Sequence, residues 1–320
     1  MTAYPTDLPW TRRLKLRHLH VITALETAGS ITAAAKAMHM TQPALSHWLS
    51  DMEDLVGTRL FTRGRKLELT EAGRALWRYA CRVLGDTART GEEIDAIKDG
   101  VAGHLHIGTI LSAAPVLLPH AIASLHQRSP NIRIELVEGL LEPLIERLER
   151  REIDLILGPL DIRASRSGLC TEWLMTDSFS VVARRGHPLT CIEAPTWSDT
   201  QGYPWILPPL GILSRVRLDQ AIVDAGMPSP KPVIETSSLV TLLSMLQGRE
   251  YIATLASSVA RMYEQLNLIE IINTPSRLEF GPIGMLWSAD SPSIVLPDLR
   301  ETLREEARRL FGSHENPSIT

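Results

Sequence analysis

The 320-residue chain changes its hydrophobic rhythm near residue 100. Before that point apolar residues recur at three- and four-residue spacing, as in amphipathic helices. Leu16, Leu19, Ile22 and Leu25 mark a first helix. Ser30 caps a second, ITAAAKAMH, whose Ala33, Ala34, Ala35 and Ala37 leave little bulk against a neighbour. In TQPALSHWLSDMEDLVG, Thr41 stands at an N-cap position and Pro43 in the first turn, where a missing N–H costs nothing. Leu45, Leu49, Met52 and Val56 form one apolar face of this third helix, and Gln42, Ser46, His47 and Ser50 lie opposite. GTRLFTRGRKLELTEAG alternates Leu67 and Leu69 with polar residues after Gly64, which predicts two short strands and a turn. From Thr70 to Gly100 no proline interrupts a long helix with Leu76, Tyr79, Ala80, Val83, Thr87, Ile94 and Ile97 along one side. Gly85 and Gly91 each weaken it by about 1 kcal/mol relative to alanine, which leaves room for a bend or frayed turn there.

Beyond Gly100 and Gly103 the strand-like runs HLHIGTI, IRIELVE and IDLILGP alternate with the helical runs APVLLPHAIASLHQ and LEPLIERLERRE. That is the βαβαβ order of a parallel sheet. Around DSFSVVARRGHPL the pattern changes and a second set follows: YPWIL, SRVRLDQAIVDAG, PVIET, SLVTLLSMLQ and LIEIIN. GPIGMLWSA then reads as a strand, and LPDLRETLREEARRLFG as a closing helix that returns to the first lobe.

Two short helices joined by a tight turn predict a helix-turn-helix, whose second helix lies in the major groove and offers its N-terminal residues to base edges. Charge agrees: Asp51, Glu53 and Asp54 sit in the C-terminal half of that helix, where they would repel phosphates, and the N-terminal half has no acid. An ordinary amphipathic core helix is the competing reading for this segment alone. The two strands that follow form a wing, with Arg63, Arg65 and Lys66 at its tip for phosphates or a narrow minor groove. The chain as a whole is acidic, at −4, yet residues 12–70 hold nine Lys and Arg against five Asp and Glu, leaving 24 against 32 elsewhere. Only the N-terminal segment therefore suits a polyanion.

Helix, alanine-rich helix, TQPALS, LFTR and LTEAG in that order resemble the winged helix-turn-helix of the LysR-type transcriptional regulators, specifically over residues 12–75. The resemblance implies a mainly α winged helix-turn-helix over 12–70 and a linker helix over 71–99 that pairs antiparallel with that of a second subunit. It also implies a two-lobed, periplasmic-binding-protein-like α/β effector-binding domain over 100–312. Lobe I would hold 100–184 and 281–312, and lobe II 185–280. A sequence-specific regulator without enzymatic activity follows, dimeric and, through its effector domains, tetrameric. Double-stranded DNA, a small-molecule effector and RNA polymerase are its expected partners. The expected DNA-binding residues are Ser30, Thr32, Thr41, Gln42, Pro43, Ser46, His47, Arg63 and Arg65. His47 and Trp48 stand where relatives often carry Arg and Gln or a similar polar pair, so arginine's bidentate reach to guanine is missing. The wing also looks one residue shorter than in many relatives.

Open parallel sheets bind ligands at the carboxyl ends of their strands, where helix N-termini meet the crevice. Two loops fit: GTILSAAPVLLP, with Leu111 and Ser112, and ETSSLVTLL, with Ser237 and Ser238. Opposed helix N-termini bearing hydroxyls suit an anion, and neither loop holds Lys or Arg. Pro159, Leu160, Leu207 and Pro208 at other strand ends offer apolar walls. The expected effector is a small organic carboxylate or sulfonate, with no cofactor and no metal. For each serine, a plain cap on its own helix is an equal alternative.

Other functions have less to stand on. The sequence shows no GxSxG elbow, phosphate loop, HExxH or Gly-rich dinucleotide turn. His120 and His126 are six apart and fall on different helical faces. An α/β enzyme with a DNA-binding head is thus the weak catalytic alternative. Cys81, Cys170 and Cys191 are odd in number and lack metal-ligand spacing, so they read as buried thiols. A redox sensor built on Cys170 and Cys191 is the other alternative, although only Arg184 and Arg185 offer basic neighbours, at a distance in sequence. Hydrophobic content of 44% supports real cores. No apolar run approaches the roughly 18 to 20 residues of a membrane span, and MTAYPTDLPWTRRLK lacks the apolar stretch of a signal peptide. A cytoplasmic protein with no membrane partner is expected.

Overall fold

The computed structural model describes residue 10 and residues 13–64, 66–98, 100–110, 115–160, 168–274 and 278–312. These fall into two compact units, one holding the residues up to 98 with Glu149–Glu152, the other Gly100–Leu148 with the residues from Ile153 onward.

In the first unit α1 (Leu16–Ala28), α2 (Ile31–Ala37) and α3 (Gln42–Val56) enclose Leu19, Val21, Ile22, Leu25, Ala34, Ala35, Leu45, Leu49 and Met52. Leu16 is exposed instead of joining the stripe, and Val21 packs in the core. Of the alanines, Ala34 and Ala35 are buried, whereas Ala33 and Ala37 face solvent. The turn between α2 and α3 places His39 at φ 54°, a left-handed conformation that lets the Met40 N–H reach back to the Ala35 carbonyl at 2.8 Å. β1 (Phe61–Arg63) pairs antiparallel with β2 (Leu67–Leu69), with Arg63 opposite Leu67. Glu53 does not act as a free acid on α3. Its Oε1 accepts from the N–H groups of Leu60 at 2.8 Å and Phe61 at 3.3 Å, which fixes the approach to the wing.

α4 (Glu71–Lys98) begins at Thr70, whose hydroxyl accepts from the Gly73 N–H at 3.0 Å and donates to the Arg59 carbonyl at 2.7 Å. It runs as one continuous helix through Gly85 and Gly91. A methyl on Gly73 would stand 1.9 Å from the Leu60 carbonyl oxygen, whereas one on Gly91 would meet nothing within 4 Å. Gly73→Ala is therefore expected to cost the unit about 1 to 3 kcal/mol, as overpacking does. Gly91→Ala should add up to about 1 kcal/mol. Urea midpoints of the two variants check this, and equal midpoints would contradict it.

The second unit is built on a nine-stranded sheet. β3 (Gly103–Thr109), β4 (Ile132–Glu138) and β5 (Leu155–Pro159) form one parallel block with α5 (Leu117–Arg128) and α6 (Leu141–Glu149) as crossovers. β7 (Trp205–Leu207), β8 (Pro232–Glu235) and β9 (Ile252–Ala256) form another, with α8 (Leu213–Asp224) and α9 (Leu239–Gly248), after a short α7 (Trp197–Thr200). Between the blocks lie two long antiparallel strands, β6 (Leu169–Ala183) and β11 (Leu278–Ser288), giving the order β4-β3-β5-β11-β6-β9-β7-β8. α10 (Ser257–Gln265) leads to β10 (Glu270–Ile272), which pairs with β6. Residues 179–183 of β6 pair with β9. β11 likewise reaches β5 only from Ile283 onward.

α11 (Leu296–Phe311) returns to the first lobe and packs on α5, where Ser124 Oγ donates to Glu306 at 2.6 Å. Glu172 on β6 accepts from Arg304 Nη2 at 2.9 Å and from Arg300 at 3.4 Å. The Arg304 hydrogen bonds, opposed by burial and assisted by Arg300, hold the Glu172 carboxyl below the usual carboxylate range. Its contribution to stability is therefore complete above the unfolded-chain value, about 4.3, and disappears as pH falls through the lower folded value. Glu172→Gln should flatten the acid limb of a melting-temperature profile between pH 3 and 6. An unchanged limb would remove this ion pair from the account.

Candidate DNA-reading surface and effector cavity

The sequence-selected DNA residues gather around two helix starts. Ser30 caps α2 by accepting from the Ala33 N–H at 3.2 Å, with Thr32 exposed in the first turn. Thr41 caps α3 by accepting from the Ala44 N–H at 3.4 Å, and Gln42 and Pro43 are exposed beside it. Ser46 is half-buried and His47 exposed one turn further. His47 Nδ1 lies 3.0 Å from Asp51, an i,i+4 pair that orients the ring. Trp48 packs under α1: Arg17 lies 5.1 Å over its ring and His18 meets it edge-on with centroids 6.1 Å apart. Burial, with Arg17 and Lys15 alongside, pushes the His18 pKa down, and its Nδ1 accepts the Lys15 N–H. Arg63 ends β1, next to the turn, and Arg65 lies outside the described residues. The surface is two N-cap hydroxyls and an exposed polar helix face, free of acid in the first turns of α2 and α3. It suits phosphate at the helix starts and base edges along α3.

The second unit contains a cavity of about 700 Å³ at the carboxyl ends of its parallel strands. Ile110 follows β3, Glu138 and Gly139 close β4, Pro208 follows β7 and Thr236 follows β8, all in its lining. The N-termini of α6, α8 and α9 face the same space through Leu141, Leu213, Ser214 and Ser238. Its remaining walls include Phe179, Phe280, Leu242, Leu255 and Val259, with the two phenyl rings edge-to-face at 5.1 Å. α8 has Ile212 at its N-cap and no side-chain cap.

Of the residues proposed from sequence, Pro208, Ser237 and Ser238 line this cavity. Leu207 is fully buried in the main core, and Leu160 in a cluster with Leu141 and Leu144. Pro159 belongs to β5, paired with Ile283. None of these three is in the lining. Leu111 and Ser112 lie outside the described residues, and α5 starts only at Leu117, with Val116 at its N-cap and no side-chain cap. Ser238 is spent on its own helix, accepting from the Thr241 N–H at 3.3 Å. Thr236 accepts from the Ser238 N–H at 3.1 Å. Ser214 and Ser237 have no side-chain hydrogen bond among the described residues. Sequence reasoning missed Phe179, Thr254 and Phe280, which reach the cavity from strands β6, β9 and β11.

No Lys or Arg stands in the described lining, and two acids, Glu138 and Glu142, do. Arg217 is half-buried, has no hydrogen bond or ion pair among the described residues, and lays its guanidinium over Gly281, the neighbour of Phe280. Gly281 has φ 102°, a left-handed conformation that favours glycine; a methyl there would lie 2.3 Å from Arg217 Nη1, the movable end of a flexible side chain.

The cysteines are free thiols: Cys81 and Cys170 are half-buried and Cys191 is exposed, so the expectation of buried thiols fails for the last. Burial pushes the Cys81 thiol up. No helix among the described residues is long and apolar enough to cross a membrane.

A family model described as the LysR substrate binding domain matches residues 98–308, and one described as a bacterial regulatory helix-turn-helix protein of the lysR family matches residues 16–74. The transcriptional regulator GbpR of Azospirillum brasilense is 31% identical over 291 residues, which is 90% of this chain and 85% of that protein. Among solved structures, full-length OxyR C199D from Pseudomonas aeruginosa aligns with a TM-score of 0.63 at 24% identity, over 95% of this chain and 99% of that one. Full-length CbnR complexed with its target DNA aligns with a TM-score of 0.61 at 21% identity, over 92% and 100%. At those identities the two structures speak for the fold.

Proposed function

The chain belongs to the LysR family of bacterial helix-turn-helix regulators and is a DNA-binding transcriptional regulator with an effector-binding domain, not an enzyme, and from this we propose how its own residues act. α3 reads DNA, α4 pairs two subunits, and the cavity between the lobes holds a small organic anion, a carboxylate or sulfonate. The observation that carries the effector reading is the convergence of four strand ends and the starts of α6, α8 and α9 on one largely apolar cavity. Helix N-termini attract anions. The unpaired hydroxyls of Ser214 and Ser237 add donors, and Arg217, whose guanidinium lies over Gly281, is the cation we propose to reach the ligand. Glu138 and Glu142 at the same cavity work against a second negative group on the ligand.

A thermal-shift screen of small organic acids tests this, because a ligand at 100 times its dissociation constant adds about 2.7 kcal/mol. Ser237→Ala and Arg217→Met should each weaken the best acid several-fold. A preference for neutral or cationic compounds would contradict the anion.

On the DNA side, Gln42, Ser46 and His47 are proposed to meet base edges, and Ser30, Thr32, Thr41 and Pro43 to lie along the phosphates. Arg63 and Arg65 serve the backbone from the wing. Asp51 holds His47 Nδ1, which leaves Nε2 as the ring nitrogen available to DNA. Two subunits then engage two half-sites, with a tetramer, contact with RNA polymerase and a cytoplasmic location as further expectations of the same reading. A redox role for Cys170 and Cys191 rests on no comparable feature: Cys170 lies within β6 opposite Trp287, and Cys191 is an isolated exposed thiol.

A further inference from the structure

We infer that the effector carries a neutral hydrogen-bonding group at the end opposite its anionic one, with an apolar body between, and that Thr254 binds this inner group. The inference rests on the cavity being the effector site.

Thr254 lies on β9 opposite Val181 of β6 and is 4% exposed. Its Oγ1 is buried, has no hydrogen-bond partner among the described residues, and belongs to a residue that lines the cavity. Buried hydroxyls are costly unless bonded, and nearly all of them are. The neighbours along β9, Ile252, Ala253, Leu255 and Ala256, are all apolar and buried. Valine has the shape of threonine without the hydroxyl, so the fold gains nothing from the oxygen at this position. It is a group held ready for something that enters the cavity.

The other hydroxyls divide clearly from it. Thr236 and Ser238 are spent on the start of α9, and Ser214 and Ser237 lie at helix starts and are half-buried and exposed. Apart from these hydroxyls and the two acids Glu138 and Glu142, most of the lining is apolar, with Ile110, Leu213, Leu242, Leu255, Val259 and Phe280. A ligand that uses both polar regions must span that surface with an apolar body. About 700 Å³ is also far more than a two-carbon acid fills. It falls in the range of sites for much larger ligands, about 300 to 1,000 Å³. No charged group of the lining flanks Thr254 on β9, so a charge at the inner end would be buried without a partner. The inner group is therefore a hydroxyl or carbonyl, to which a threonine hydroxyl can donate or from which it can accept.

Three matched pairs of acids that differ only in a distal hydroxyl test the inference: butanoate and 4-hydroxybutanoate, hexanoate and 6-hydroxyhexanoate, benzoate and 4-hydroxybenzoate. Calorimetry is run on the full chain and on Thr254→Val, Thr254→Ser and Ser237→Ala. In at least one pair the hydroxylated acid should bind the wild type about tenfold tighter or more. Thr254→Val should erase that preference while leaving the plain acid within twofold, and Thr254→Ser should keep it. Ser237→Ala, at an exposed position, should weaken both members of the pair alike. No preference in any pair, or a preference that survives Thr254→Val, overturns the role of Thr254; if Ser237→Ala still weakens both acids, the cavity remains the effector site. If no acid binds, or Ser237→Ala alters neither member, the reading of the cavity itself fails and takes this inference with it.

Discussion

Aspartate at both Ile94 and Ile97 is expected to split the protein into smaller species and to lower its affinity for a two-half-site operator by about 10² to 10⁴, the range lost when two linked sites no longer engage together. The expectation comes from how α4 divides along its length. Leu76 and Ala80, in its first turns, are buried in the core of the first unit, at 7% and 0% exposure. Ile94 and Ile97 are 49% and 69% exposed, so the outer half of the helix shows apolar residues that its own unit does not cover, and Tyr79 nearer its start is 40% exposed. A second subunit covers them in the proposed dimer. Each isoleucine then contributes about 1.5 to 3 kcal/mol if fully buried, and a carboxylate placed there would be desolvated without a partner. Leu76→Asp, which the periodicity alone would recommend, is the wrong variant, because it should unfold the winged helix rather than part the subunits. Sedimentation velocity on the double variant decides the matter, and an unchanged oligomer would move the interface away from this helix.

Substitutions on the DNA face should separate into two kinds. Gln42→Ala or Ser46→Ala is expected to cost about 1 to 3 kcal/mol at the operator while leaving a random duplex nearly unaffected, because a base contact carries sequence information. Arg63→Ala should weaken both duplexes alike and reduce the salt slope by about 1, because a phosphate contact does not. His47 should behave as a base reader whose aim depends on its i,i+4 partner, so Asp51→Asn should reproduce part of the loss seen in His47→Ala. Mobility shifts at two salt concentrations make the distinction. An Arg63→Ala protein with wild-type affinity and slope would remove the wing from the interface.

The DNA-binding unit was legible because local signals agreed with one another. The apolar period of α3 places Leu45, Leu49 and Met52 in the core, and its cap is the threonine that the sequence marks. The roles of Glu53 and Gly73 were not legible, since each answers to a residue made close only by folding: the N–H groups of Leu60 and Phe61 for one, the Leu60 carbonyl for the other. In the effector unit β9 is buried on both faces, and a run without alternation carries no period to read. That hid both the strand and Thr254. β6 shows in the sequence only as a change of pattern around DSFSVVARRGHPL, because a long strand shared by two blocks has no single period. The start of α5 was placed at Ser112 because a serine before an apolar run looks like a cap, yet the helix begins at Leu117. Leu160 and Leu207 were placed at the crevice by strand position, which fixes where a residue lies along the sheet but not which side of it the side chain meets.

In the proposed complex α3 reads a two-fold DNA site. Selection of bound sequences from a random duplex pool by the purified full-length protein, followed by dissociation constants for the selected and scrambled duplexes at one fixed salt concentration, tests it most directly. The expected result is a pseudo-palindromic consensus bound about 10³-fold or more tighter than the scrambled duplex, with the preference reduced in Gln42→Ala. Equal affinity for selected and scrambled duplexes, or a consensus whose preference is untouched by Gln42→Ala, Ser46→Ala and His47→Ala together, would contradict it.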